Sequence, residues 1–143
     1  MAIQFGVDLL YLHRENVLYL MIDILKNILL AGTGSFIGGA ARYLIMVSMN
    51  SIRKGWPTVI VNLLGCLAIG LIWGFLNRSQ SENSNLAMFL MVGICGGFTT
   101  FSTFSKDALM MLQAGNIMEL IAYICTSVIA GMALTAAGYY LAR

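Results

Sequence analysis

Apolar positions along the chain gather into blocks of bilayer length. Residues 58–76 (TVIVNLLGCLAIGLIWGFL) are 19 uncharged positions in a row and residues 120–142 (LIAYICTSVIAGMALTAAGYYLA) are 23, so each meets the ~18-residue requirement for a spanning helix. Residues 27–49 (NILLAGTGSFIGGAARYLIMVSM) form a third block with a single charge, Arg42, inside it. The fourth, from Leu86 to Gln113, is 28 residues long. As one straight helix it would measure ~42 Å against a hydrocarbon core of ~30 Å. It is too long for one helix and too short for two, and unwinding at its glycines and hydroxyls removes the mismatch. Non-helical backbone at membrane depth survives only when protein buries it or it lines a cavity. The pattern therefore predicts an all-α membrane protein with spans at about 25–49, 57–76, 86–113 and 117–142, the third broken at mid-membrane within GICGGFTTFSTFSKD (93–107).

The connections are short and polar: NSIRKGWP (50–57), NRSQSENSN (77–85) and AGN (114–116). Pro57 stands at the start of the second span, where a missing N–H costs nothing. Residues 1–22 fit neither a span nor a signal peptide, since Asp8, His13, Arg14 and Glu15 interrupt short apolar runs and no small-residue cleavage site follows. An interfacial helix is one reading of them. The simpler one places the original start at Met21, with 1–22 a peripheral extension and 23–143 the transmembrane domain.

Composition agrees with this solvent. The chain is 59% hydrophobic and 10% charged, where a soluble domain carries ~25% charge. A net charge of +2, with no basic cluster interleaved with aromatics, excludes a nucleic-acid partner. Cys66, Cys95 and Cys125 lie far apart within apolar blocks and read as small buried hydrophobes. Four spans put Arg14, Lys26, Arg78 and Arg143 on one side and Arg53, Lys54, Arg42 and Lys106 on or near the other. This four-against-four balance gives the positive-inside rule nothing to act on, and it predicts insertion in both orientations and an antiparallel homodimer.

Polar residues inside spans are where function is expected. They are Asn62, the cluster Thr99, Thr100, Ser102, Thr103 and Ser105, and Tyr123 with Thr126 and Ser127. A single such hydroxyl more often bonds back to its own helix or joins two helices, but five within seven residues at a break ask for more. Arg42 either snorkels to the interface or draws anions into a vestibule. None of the mid-span groups carries protons, which argues against proton-coupled transport. No serine has a histidine partner, so no enzyme is indicated. Phe101 and Phe104 share a helix face, ring edges carry the positive end of the quadrupole, and no acidic ring lines the spans as a cation pore would need. The chemistry points to an anion.

The motifs GGAARY (38–43), NLLG (62–65), GGFTTFSTF (96–104) and YICTS (123–127), in this order across residues 25–142, make the chain resemble the small prokaryotic fluoride channels, the Fluc or CrcB family. The resemblance implies an antiparallel dual-topology homodimer in the cell membrane that exports fluoride passively and lowers its cytoplasmic concentration. It implies a structural, non-transported sodium ion at the dimer centre, held by backbone carbonyls that by position belong to Gly96 and Thr99. It also implies a fluoride pathway along Phe101, Phe104, Asn62, Tyr123 and Ser127, with Ser102, Thr103 and Ser105 as further donors and Arg42 as the basic residue after the first-span glycines. Two features depart from the family: the leader before Met21, and Gly131 where some relatives continue the hydroxyl track. The alternatives are a small dual-topology multidrug or cation exporter, which would want a central carboxylate that residues 27–49 lack, and a non-transporting assembly protein.

Overall fold

The computed structural model describes residues 2–49, 52, 55–79 and 84–143, with side chains from Asn16 onward. Arg53 and Lys54, counted in the charge balance, lie outside the described residues, as does the side chain of Arg14. Helix α1 is Ala2–Ser48, α2 is Trp56–Arg78, and α3 runs as Ser84–Ala87, a π-helical Met88–Cys95 and Gly96–Phe98. Helix α4 is Phe101–Gln113, and α5 runs as Ile117–Cys125, a π-helical Thr126–Ala130 and Gly131–Ala142. Four stretches are long and apolar enough to cross a membrane: Asn16–Ser48, Trp56–Arg78, Ser84–Gln113 and Ile117–Ala142.

Helix α1 begins well before the expected first span. No glycine or proline interrupts residues 7–31, so nothing local stops the helix. Its 47 residues amount to roughly 70 Å at ~1.5 Å per residue. Asp23 and Lys26 pair on its surface at 2.8 Å. Helix α2 starts where Gly55, at φ 93°, turns the chain and Pro57 fits the first turn.

Small residues let the backbones approach. A Cβ on Gly38 would stand 2.8 Å from the Phe98 nitrogen, and one on Gly97 2.6 Å from the Ser35 Cα, so α1 packs directly on α3. Gly138 sits as closely on the Leu67 carbonyl, at 2.6 Å, joining the end of α5 to α2. Lipid tails are as apolar as leucine and give helices no hydrophobic reason to associate, so close packing of this kind is what holds a membrane bundle together. The apolar core at one end comprises Val59, Met111 and Tyr123, with Trp56, Leu63, Phe104, Ala108 and Leu120 packed around it.

The third span is broken between α3 and α4. Thr99 (φ −80°, ψ 159°) and Thr100 (φ −149°, ψ 112°) are extended. Helix α4 then restarts with the Thr100 side chain capping the Thr103 N–H at 3.2 Å. The break expected from length arithmetic is present, narrowed to two residues.

Candidate functional site

Asn62 holds the break open. Its Oδ1 accepts the Thr100 N–H at 2.8 Å, and its Nδ2 donates to the Thr100 carbonyl at 3.2 Å, so one side chain satisfies both backbone groups of the residue at the discontinuity. A continuous span would use those groups internally. Gly65, almost one turn further along α2, gives the break room, because a Cβ there would run into the Thr99 methyl.

The clamp has a consequence for two carbonyls. In an unbroken helix the Gly96 carbonyl would accept the Thr100 N–H, and the Thr99 carbonyl the Thr103 N–H. Here the first donor goes to Asn62 and the second to the Thr100 hydroxyl. Both carbonyls therefore lose their α-helical donors. Gly96 and Thr99 face the same cavity.

That cavity, of about 370 Å³, is lined by Asn62, Thr99, Thr100, Phe101, Phe104 and Ser127 among others. Among the described residues no carboxylate, histidine, lysine or arginine lines it. Phe104 stacks on Tyr123 with ring centroids 5.1 Å apart and lies 5.6 Å from Phe101. Phe101 itself is 79% exposed. Neighbours within this chain thus fix Phe104 and leave Phe101 free.

The hydroxyls divide by where their protons go. Thr99 donates to the Cys95 carbonyl at 2.9 Å, Ser105 to Phe101 at 3.0 Å and Ser127 to Tyr123 at 2.7 Å. These are back-bonds one turn along their own helices. Thr100 donates to Thr103 at 3.0 Å, which leaves the Thr103 proton for another acceptor. Ser102 lies 3.3 Å from Thr100. Ser102 and Ser105 are exposed and outside the main cavity. Arg42 is half-buried on α1, also outside it.

A second polar group lies toward the α2 N-terminus. Thr58 donates to the Asp107 Oδ2 at 2.7 Å, and Lys106 faces the Asp107 Oδ1 at 3.3 Å. Tyr123 is fully buried, and among the described residues its hydroxyl has no partner within hydrogen-bond geometry. Thr103, Lys106 and Asp107 line a separate cavity of about 360 Å³ with Thr58 and Met110. Sequence reasoning singled out neither Thr58 nor Asp107. Helical spacing carried the signal: Asp107 lies three residues past Phe104, and Thr58 four before Asn62, so each shares a helix face with a residue already singled out.

Fold and site together define a multi-pass protein of the cell membrane, four spans built around a polar break that one asparagine clamps. The family model for "CrcB-like protein, Camphor Resistance (CrcB)" matches residues 29–139. A "Fluoride-specific ion channel FluC" from Azobacteroides pseudotrichonymphae is 40% identical over 121 residues, covering 82% of this chain and 97% of the relative. A protein of the same name from Prosthecochloris aestuarii is 39% identical over 118 residues (81% and 92%), and one from Ruminiclostridium cellulolyticum 41% over 118 residues (76% and 91%). The chain belongs to the CrcB family.

Proposed function

We propose that this chain is a fluoride-specific ion channel that lets cytoplasmic fluoride leave passively and so lowers its concentration. The observation that carries the reading is the cavity at the broken span: an asparagine, hydroxyls and phenylalanine rings at membrane depth, with no carboxylate or basic group among them. The names of the relatives supply the anion.

Such a wall suits a small anion. Only one Nδ2 proton of Asn62 is committed to the Thr100 carbonyl, which leaves the other to donate, and ring edges supply positive potential without a competing counter-charge. The Ser127 proton is held by a local back-bond, and rotating it toward a passing ion exchanges one acceptor for another. Tyr123 supports the path from behind by stacking on Phe104. No group here needs to titrate. An inside-negative membrane drives an anion outward by about 2.3 kcal/mol per 100 mV, so a selective leak suffices and no catalysed reaction is involved.

The working unit in this reading is an antiparallel dual-topology homodimer. Balanced charge supports it, as does the exposure of Phe101 beside a cavity that one chain leaves open. A structural, non-transported sodium ion at the dimer centre suits the Gly96 and Thr99 carbonyls, because a hard cation takes oxygen ligands and both oxygens have lost their helical donors. Its contribution would be to hold the two breaks together. Residues 1–22 are a peripheral extension in the same reading, beyond the matched 29–139.

Cells lacking this protein should grow normally without fluoride and fail at fluoride levels that the parent strain tolerates. Equal tolerance in both strains would count against fluoride export.

A further inference from the structure

The main cavity does not end at Ser127. Cys66, Ser127 and Val128 also line a neighbouring cavity of about 690 Å³, which follows α5 past Gly131 and Thr135 to Tyr139 and Arg143. From Ser127 to Arg143 is 16 residues on one helix, about 24 Å of rise. The two cavities form one groove from the break to the end of the fourth span.

Donors along this groove are unevenly placed. Gly131 offers no side chain, and Thr135 shares its proton between the Cys66 and Gly131 carbonyls, at 3.1 Å each. The other side-chain donors lining the groove beyond Ser127 are Tyr139, Tyr140 and Arg143 on α5 and the Trp73 indole on α2. The Tyr139 hydroxyl accepts the Asn77 amide at 3.1 Å, which turns its oxygen toward α2 and leaves its own proton to donate. Trp73 packs against the Tyr139 ring at 4.6 Å and Tyr140 at 5.3 Å, fixing that hydroxyl. The Arg143 guanidinium carbon sits 5.8 Å from the Tyr139 ring centroid. Among the described residues no aspartate or glutamate side chain forms an ion pair with Arg143.

We propose that Tyr139 and Arg143 form the anion mouth of the groove at the end away from Asp107, with Arg143 concentrating the anion and Tyr139 offering the first hydrogen bond. This rests on the channel reading above and adds the residues at one end of the path. A cationic group beside a low-dielectric wall raises the local concentration of an anion. Salt should abolish that effect, since the Debye length falls from about 30 Å at 0.01 M to about 3 Å at 1 M. A residue that merely anchored the helix end among interfacial aromatics would show no such dependence.

The test is fluoride efflux from liposomes holding the full-length protein, with a few millimolar fluoride and an impermeant salt at about 0.01 M or about 1 M on both sides. Arg143→Gln should slow efflux roughly fivefold in low salt and less than twofold in high salt. Arg143→Lys should recover at least half of the low-salt rate, since it restores the charge. Tyr139→Phe keeps the ring stack, removes only the donor, and should slow efflux roughly fivefold at both salts; it carries the test if Arg143→Gln does not fold. An Arg143→Gln rate equal to wild type in low salt, a deficit identical at both salts, or an unchanged Tyr139→Phe rate would overturn the mouth. A wild-type protein that releases no fluoride would instead remove the channel reading beneath it.

Discussion

Asn62 is the residue on which most of the geometry depends, because its amide makes both hydrogen bonds that keep Thr100 out of a helix. Asn62→Ala leaves those two backbone groups without partners at membrane depth, at a cost of about 1–3 kcal/mol each. The expected outcome is a fall in fluoride efflux of at least tenfold together with lower thermal stability in detergent. The two phenylalanines should separate. Phe104→Ala removes a ring held by Tyr123 and the core and should cost stability in the range of about 3–5 kcal/mol. Phe101→Ala should leave the folded chain intact in size-exclusion chromatography while flux drops, since Phe101 is exposed within the chain. A Phe101→Ala protein that conducts normally would confine that ring to packing. Asn62 stood out in the sequence as an amide inside an apolar span, and the two rings by sharing a helix face beside the break, where alone they would more often be packing. The hydroxyl back-bonds of Ser105 and Ser127 did not, since the same residue types at the same spacing serve equally as donors to an ion; only coordinates show where each proton goes.

At the scale of elements, the four spans were legible because the bilayer sets the length of an apolar block, and the broken third span followed from 28 residues in a slab too thin for them. The ends of helices over apolar sequence were not. Helix α1 starts at Ala2 and runs through Gly6, because hydrophobic composition marks where lipid is and says little about where a helix stops. Partner choice was hidden too: that α1 packs on α3 and the end of α5 on α2 depends on which glycines meet, such as Gly38 on Ile94 and Phe98. Gly38→Leu should therefore abolish monodisperse protein, because even its Cβ meets the α3 backbone at Ile94 and Phe98, which no rotamer avoids. Gly32→Leu, at a position with open space around the Cβ, should express as wild type does. Similar yields from the two variants would show that α1 does not dock on α3 by this face.

For the whole molecule, the balanced distribution of lysine and arginine is a property that no single span carries, and it bears on how two copies meet. Three lysines added to one terminus should bias insertion to a single orientation and reduce flux by well over half when that variant is expressed alone. Adding the oppositely biased variant should restore it; full activity from the single-orientation protein would rule out the antiparallel arrangement. The central claim is that the polar break belongs to a passive path for fluoride, and the most direct measurement is fluoride efflux from liposomes containing purified protein, with no proton or sodium gradient and valinomycin added to release the charge. A passive, fluoride-specific path gives rapid fluoride release upon valinomycin addition and no release of chloride under the same conditions. Folded protein that releases no fluoride, or releases it only when a proton or sodium gradient is imposed, would contradict a passive path.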